Sequence, residues 1–268
     1  MADPDELLAR AYESLTGWLA CGHETRVQPL ARFVRDPRMP MVYDANFAAE
    51  VRARTPEEIE SLFDAADSMS RELDHRSFHW DPWLPVEFEA RLLLEGYRAD
   101  EFVVLVLEGE LGTRGPKVEL RPAVTDADWD AIGALLREDH EEEVRMGFHE
   151  PWDESVTCQL LASKRVKSPA VRYWLARADG VDCAFFSAWP GENGVGQVED
   201  LFTTAKLRGR GIATALISAC VDDARARGAG PVLISARPND TPKQMYAALG
   251  FRPLCVERRY VKTGFTPD

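Results

Sequence analysis

The chain has 268 residues, of which 45% are hydrophobic and 29% are charged, and its formal net charge is −13. This composition is typical of a folded protein that forms one large domain or two small ones, and it excludes an intrinsically disordered chain. The excess of acidic residues argues against binding to nucleic-acid phosphates, which requires clustered lysine and arginine.

The longest aliphatic stretches, such as residues 102–107 (FVVLVL), have the length of a strand and are too short to span a bilayer. The first residues are acidic where a secretory leader would be basic. Five scattered cysteines include no C-x-x-C pair, so the sequence indicates neither a disulfide framework nor a zinc site. We therefore expect a cytoplasmic monomer or homodimer with no membrane partner, no nucleic-acid partner and no metal.

The first part of the chain shows helical and strand periodicities in turn. They predict five elements: helices over 6–19, 55–69 and 86–95, and strands over 25–34 and 101–107. His75 and His79 lie four residues apart beside Asp74, a spacing that could hold a metal on one face of a helix. Because no third ligand follows at a suitable spacing, the sequence favours a structural role for them.

Residues 109–116 (GELGTRGP) hold three glycines and a proline and are typical of a linker. We therefore predict two domains, over 1–112 and 113–268. The second domain is predicted to contain these elements: strands over 118–123, 171–178, 181–189, 197–204, 232–236 and 254–261, and helices over 126–139, 212–227 and 242–249. No element is predicted for 141–167, where we expect loops.

Two short segments resemble each other. Residues 92–97 (LLLEGY) precede one predicted strand, and residues 246–251 (YAALGF) precede another. This weak internal similarity indicates two related halves.

The chemically informative segment is 198–213 (VEDLFTTAKLRGRGIA), in which a predicted strand ends in a basic loop with two glycines that opens a helix. The first amides of a helix have no intrahelical partner, the helix dipole favours negative charge, and glycines allow close approach. Such a loop is suited to binding a phosphate group.

The loop resembles the pyrophosphate-binding loop of the GNAT superfamily of acyl-CoA-dependent N-acetyltransferases. Asn239 and the segment 245–251 (MYAALGF) resemble a later motif of the same family at the expected distance. The resemblance covers residues 117–262. It implies the GNAT fold, of class α+β or α/β, with a mixed, mostly antiparallel central sheet flanked by helices, and acetyl-CoA as the co-substrate.

The resemblance also implies which residues contact CoA. The backbone before the loop would pair with the pantetheine arm, the loop amides would hold the diphosphate, and Asn239 would touch the arm. The implied cofactor-binding residues are Leu201, Phe202, Thr203, Arg208, Gly209, Arg210, Gly211, Ile212, Ala213 and Asn239. Thr203 and Ala205 depart from the family pattern, in which valine and proline are common.

Acetyl transfer to an amine needs one group that removes a proton from the ammonium and another that protonates the departing thiolate. By resemblance, Glu199 is the candidate base and Tyr246 the candidate acid. Asp200 points to the opposite face of a regular strand, so a bulge decides which carboxylate faces the acceptor. A solvated strand-face role for Glu199 and a core role for Tyr246 remain alternatives.

Other interpretations stay open for the surrounding residues. A dinucleotide-binding fold would need an acidic residue near the end of a second strand about twenty positions on, whereas Asp222 and Asp223 fall inside the predicted helix. The acidic run 138–143 (EDHEEE) is either a lip that attracts a cationic acceptor or a solvated helix end. Phe148 and Trp152 either line the acceptor pocket or pack in a loop.

The leading hypothesis is an N-acetyltransferase acting on a primary amine of a small molecule, with the acidic charge favouring a cationic acceptor. The first half lacks a glycine loop and has Leu92 where the second has Tyr246, so we predict a degenerate GNAT-like domain there. Because one half of the chain lacks these catalytic features, the alternative hypothesis is a non-catalytic acyl-CoA-binding sensor or regulatory module.

Overall fold

The computed structural model describes residues 4–239 and 242–265. The described α-helices are α1 (Pro4–Ala20), α2 (Pro56–Met69), α3 (Val86–Leu94), α4 (Asp126–Arg145), α5 (Glu154–Lys167), α6 (Ile212–Ala226) and α7 (Pro242–Ala248). The described strands are β1 (Glu24–Val27), β2 (Arg32–Arg35), β3 (Phe47–Ala49), β4 (His75–His79), β5 (Arg98–Leu107), β6 (Glu119–Pro122), β7 (Arg172–Ala178), β8 (Val181–Trp189), β9 (Gly196–Thr203), β10 (Val232–Ala236) and β11 (Arg252–Thr263).

Two compact units divide the chain. The first unit joins the residues up to Cys21 with Val104–Cys255, and the second joins Gly22–Val103 with the residues from Val256 onward. Strands β5 and β11 contribute residues to both units. The domain boundaries drawn from the sequence, 1–112 and 113–268, stay predictions.

The first unit contains a sheet in which β6, β7, β8 and β9 pair antiparallel in chain order and β10 adds to β9 in parallel. The β7–β8 turn is formed by Asp179 and Gly180, both with positive φ (52° and 80°), as a tight hairpin requires. Helix α6 packs on β7, β8 and β9, and α4 packs on β8, β9 and α5. The predicted mixed, mostly antiparallel sheet flanked by helices is confirmed.

The second unit contains a smaller mixed sheet. Strands β1, β2 and β3 pair antiparallel, β3 pairs with β4 in parallel, and β4 pairs antiparallel with β11. Helices α2 and α3 contribute to a core with tilted and edge-on aromatic rings, which include Phe63, Phe78 and Phe88. Thr55 caps α2 in a reciprocal pair of hydrogen bonds with Glu58, as its sequence indicates.

The repeated segments at the ends of α3 and α7 share one backbone motif. Tyr97 and Phe251 donate their N–H groups to the carbonyls of Leu92 and Tyr246, five residues earlier, and each intervening glycine has a positive φ. This is the pattern by which a left-handed glycine closes a helix. The sequence similarity therefore has a common structural basis in helix termination.

Some predicted elements were wrong. The strand predicted over 25–34 is two strands, because Gln28 and Pro29 lie in a turn closed by the Gln28 N–H and the Ala31 carbonyl. The region expected to be loops over 141–167 holds the end of α4 and all of α5, which begins where Asp153 accepts the Ser155 N–H. Helix α4 thus runs six residues beyond its predicted end at Asp139.

His75 and His79 lie on strand β4 and not on a helix, in a segment where all five residues are buried. The His79 ring stacks on Phe47 at 4.1 Å between centroids, and burial lowers the His79 pKa to about 3, so the ring is neutral. Polar residues in the buried strand explain why its pattern gave no strand signal. No group of three His, Cys, Asp or Glu side chains within 4–239 and 242–265 is arranged to hold a metal ion.

None of the helices within the described part of the chain combines the length and the apolar composition that crossing a membrane demands.

Candidate active site

The strand that precedes the glycine loop is bulged and separates from its parallel neighbour. Asp200 has φ of +68°, and the pairing of β9 with β8 shifts register between Phe185 and Ser187. On the other side, β9 pairs with β10 at Gly196 and Gln197. Farther along, the Ser235 N–H of β10 is bonded to the Glu199 side chain at 3.1 Å instead of to a strand carbonyl. Residues 201–203 lie beyond this pairing with β10 and line a cavity.

Beyond β9, the chain turns through two left-handed glycines into α6. Gly209 has φ of +74° and Gly211 of +78°, a region that glycine adopts without steric cost. The Ala215 N–H donates to the Gly211 carbonyl and begins the intrahelical bonding. The amides of Ile212, Ala213 and Thr214 therefore precede the first intrahelical bond, as at any helix start.

Both arginines of the loop are held by carboxylates. Arg208 makes a two-point ion pair with Glu142 of α4, at 2.5 and 2.8 Å, and donates from Nε to the Thr203 carbonyl. Arg210 makes a two-point ion pair with Asp179 in the β7–β8 turn. Arg208 thus joins the loop to α4, while Arg210 joins it to a surface turn.

An open cavity of about 550 Å³ joins the bulged strand, the loop and α4. Its lining includes these predicted cofactor-binding residues: Leu201, Phe202, Thr203, Arg208, Gly209, Gly211, Ile212 and Ala213. Arg210 and Asn239 are not among the lining residues, and Asn239 is exposed in a turn after β10. Residues 240 and 241, which directly precede α7, lie outside the described residues.

The two carboxylates of β9 have different partners. Oε1 of Glu199 accepts hydrogen bonds from Ser235 N–H and from the Gln197 side chain at 3.2 Å. Oδ1 of Asp200 pairs with Nζ of Lys164 at 2.5 Å, and Oδ2 accepts from the Tyr173 hydroxyl at 3.2 Å. Neither carboxylate is among the residues that line the cavity. Glu199 thus lies between β9 and β10, and Asp200 lies toward α5 and β7.

Tyr246 lies on α7 and is 4% exposed, with its ring 6.3 Å from that of Phe251. Its neighbour Met245 lines the cavity. The structure thus gives the phenol a buried position one residue away from the cavity wall.

The acidic run at the end of α4 contributes three carboxylates to the cavity, those of Asp139, Glu142 and Glu143. Glu142 is paired with Arg208, and Glu143 lies 3.2 Å from Nε2 of His149. For Asp139, burial and then the nearby Glu143 raise the pKa to about 7. This carboxylate exchanges its proton near neutrality.

One edge of the cavity carries an aromatic group. Phe148 lines the cavity, whereas the Trp152 ring stacks on His149 at 4.0 Å between ring centroids and the Trp152 backbone N–H donates to Nε2 of His140. Of the two aromatic residues considered from the sequence, Phe148 therefore belongs to the pocket. Trp152 is 41% exposed and packs against the histidines.

Sequence reasoning did not single out several residues of the cavity: Asp139 as an individual group, Met146, Leu207, Thr214, Arg237 and Met245. Asp139 lies within the acidic run 138–143, for which the sequence allows two interpretations. The signal that distinguishes it is its position on α4, since residues 139, 142, 143 and 146 recur at the three- and four-residue spacing of one helix face.

Replacing Gly211 with alanine should weaken binding of CoA more than replacing Gly209. A Cβ at Gly211 would lie 2.6 Å from Cδ of Pro116 and would also occupy a positive φ, whereas a Cβ at Gly209 meets no atom within 4 Å. The φ cost common to both is about 1 kcal/mol. Isothermal titration of CoA into both variants tests this, and equal affinities would contradict the role of the Pro116 contact.

The sheet order, the bulged strand and the glycine loop together define the GNAT class of fold. The family model described as "Acetyltransferase (GNAT) family" matches residues 129–251. The chain therefore carries a GNAT acetyltransferase-family domain over these residues. No curated protein matches the chain in sequence.

Solved structures resemble the chain over most of its length. A GCN5-related N-acetyltransferase from Kribbella flavida is 17% identical, with a TM-score of 0.66 over 96% of this chain and 95% of that one. A functionally unknown conserved protein from Staphylococcus epidermidis is 14% identical, with a TM-score of 0.66 over 90% and 94%. A tandem GNAT protein from the clavulanic acid biosynthesis pathway is 14% identical, with a TM-score of 0.58 over 89% and 79%. These likenesses extend the shared fold beyond the segment that the family model matches.

Proposed function

We propose that this protein transfers the acetyl group of acetyl-CoA directly to a primary amine of a small molecule. The observation that carries the proposal is the cavity that joins residues 201–203 of the bulged strand to the glycine loop and the first turn of α6. Acetyl-CoA supplies the thioester carbonyl that the amine attacks.

The loop fits the diphosphate of CoA. Gly209 lines the cavity and has open space where a side chain would stand, and the amides of residues 212–214 precede the first intrahelical bond. Backbone donors at a helix start attract an anion through both hydrogen bonding and the helix dipole. We assign the diphosphate to residues 208–213 and the pantetheine arm to the backbone of residues 201–203, with Asn239 as a further contact.

Glu199 is the proposed base that takes a proton from the ammonium of the acceptor, so that the neutral nitrogen can attack the thioester. Its support is its position: it precedes the bulge and its carboxylate lies where β9 and β10 separate, bonded to the Ser235 amide. Asp200 is the alternative base, but each of its oxygens is already engaged, by Lys164 and by Tyr173. We therefore rank Glu199 first and give Asp200 a positioning role.

Tyr246 is the proposed acid that protonates the departing sulfur. Its support is its location on α7 next to Met245, a residue of the cavity wall. A tyrosine hydroxyl is a suitable donor because it keeps its proton at neutral pH, and the departing thiolate is basic enough to accept it.

Incubation of the protein with acetyl-CoA and a panel of primary amines tests the proposal. We expect release of free CoA, detected with a thiol reagent, in the presence of at least one amine and not in its absence. Calorimetric binding of CoA without turnover of any amine would instead favour the acyl-CoA-binding sensor. Failure to bind CoA would contradict both functions.

A further inference from the structure

One wall of the cavity has no part in the proposed reaction. Helix α4 and the turn after it form this wall, and they contribute these lining residues: Asp139, Glu142, Glu143, Met146 and Phe148. The cavity residues assigned to CoA lie instead on β9, the glycine loop and the first turn of α6. The α4 wall is thus left for the acceptor, and its side chains indicate which kind of amine fits.

Two carboxylates of the α4 wall have cationic or imidazole partners. Glu142 makes the two-point ion pair with Arg208, at 2.5 and 2.8 Å. Glu143 lies 3.2 Å from Nε2 of His149 and 3.9 Å from a guanidinium nitrogen of Arg237. A second ammonium group on the acceptor would therefore have to compete with a partner already in place at either carboxylate.

Asp139 is the third carboxylate of the α4 wall, and its charge is limited by burial. Burial is the largest cause of a pKa raised to about 7, and Glu143 and Glu142 raise it further, against Lys164 and Arg208. About half of the Asp139 side chains are therefore uncharged at neutral pH. Among the described residues of this wall, no carboxylate thus presents a full and unbalanced charge to the cavity.

The outer end of the same wall is apolar. Met146 is 54% exposed and Phe148 is 53% exposed, and both line the cavity. Large exposed apolar side chains that gather at a concave site are typical of a ligand-binding surface. Met146 lies seven residues beyond Asp139, which is roughly 10 Å along a helix axis. An alkyl chain of about six carbons, or an aryl group on a short linker, spans that length.

From this wall we propose, on the basis of the proposed acetyltransferase function, that the acceptor is a monoamine with an apolar alkyl or aryl tail and not a polycation with several ammonium groups. The tail covers Met146 and Phe148, which removes apolar surface from water. Glu199 keeps the task of deprotonating the single ammonium group.

The decisive experiment compares hexylamine with hexane-1,6-diamine. The two amines share a six-carbon chain, and the diamine adds an ammonium group at the far end. We expect kcat/KM for hexylamine to exceed that for the diamine about 10-fold or more, because the second ammonium would lose hydration against apolar side chains. A diamine used as well as hexylamine, or better, overturns the proposal.

Phe148→Ala tests the contact with the tail. We expect kcat/KM with hexylamine to fall about 10-fold and kcat/KM with ethylamine to stay within about a factor of two, because only the longer amine reaches Phe148. The control is Val181→Ala, which removes apolar surface from a side chain that is 55% exposed but lies outside the cavity lining. Its kcat/KM should match the wild type with both amines. An equal loss with both amines in Phe148→Ala contradicts the contact.

Arg237→Gln tests the balance of charge on the α4 wall. The substitution removes one of the partners of Glu143, so the wall gains negative charge. We expect kcat/KM with the diamine to rise about three- to five-fold. A value for the diamine that does not rise contradicts the argument that the partners of Glu143 turn a second ammonium away.

A measurement without turnover separates binding from chemistry. CoA carries no acetyl group, so calorimetric titration of hexylamine into the protein saturated with CoA reports binding alone. The Kd for hexylamine should rise about 10-fold in Phe148→Ala and stay unchanged in Val181→Ala. An unchanged Kd in Phe148→Ala overturns the assignment of the tail to this wall.

Failure of the acceptor class and failure of the proposed function give different results. If neither hexylamine, the diamine, ethylamine nor the wider panel releases CoA, the proposed function fails and the acceptor class fails with it. If CoA is released and the diamine is preferred, only the acceptor class is overturned.

Discussion

Tyr246→Phe should lower kcat about 10²-fold and leave the affinity for CoA nearly unchanged. The phenylalanine ring keeps the packing of a side chain that is 4% exposed and lies 6.3 Å from the Phe251 ring, so helix α7 should remain in place. What the variant loses is the hydroxyl, and with it the proposed donor to the departing sulfur. Steady-state kinetics together with calorimetric titration of CoA separate the two effects.

The matched control for this variant is Tyr97→Phe. Tyr97 is also buried, 6% exposed, and follows the helix end in the second unit that shares the motif closing α7. Loss of its hydroxyl should leave kcat unchanged. A Tyr246→Phe protein with wild-type kcat would remove the acid role, whereas an equal loss of CoA affinity and kcat would indicate a binding role instead.

Much of the fold of the first unit could be predicted because local signals agree with the final structure. The Asp179–Gly180 pair specifies the β7–β8 turn, and both residues have the positive φ that such a turn requires. Thr125 and Asp128 start α4 in a capping box, as their spacing indicates. In each case, the information lies within a few residues of the feature.

Elements whose signals are weak or nonlocal were missed. The sequence of β4 is mostly polar and has no strand pattern. It becomes a buried strand through tertiary contacts, which include the packing of His79 on Phe47 and the pairing with β11. Helix α5 was missed because its apolar positions are too few and scattered to mark one face. Its place depends on contacts with α4, which no local pattern encodes.

The candidate site also has a part that local sequence predicts and a part that depends on distant residues. The glycine loop could be predicted from consecutive residues. Gly209 and Gly211 allow the positive φ that the loop requires, and the helix pattern starts directly after them. The environment of Asp139 could not be predicted, because burial is the main cause of its raised pKa, and this burial and the opposing charges of Lys164 and Arg208 come from tertiary packing. The same holds for Asp200, whose partner Lys164 lies on an unpredicted helix.

Breaking the Asp200–Lys164 pair should have the largest effect on stability. Both side chains are largely buried, with 16% and 14% exposed, so removing one charge leaves the other desolvated without its partner. Asp200→Asn should therefore lower the free energy of unfolding by about 3–5 kcal/mol. Asparagine tolerates the positive φ of this position nearly as well as aspartate, so added backbone strain does not confuse the result.

The double variant Asp200→Asn/Lys164→Met separates a positioning role from a base role. It removes both charges, so the free energy of unfolding should recover most of the loss seen in denaturant titrations of Asp200→Asn. If Asp200 holds β9 in place only by neutralising the buried Lys164, kcat should recover with stability. A kcat that stays low while stability returns would instead transfer the base role from Glu199 to Asp200.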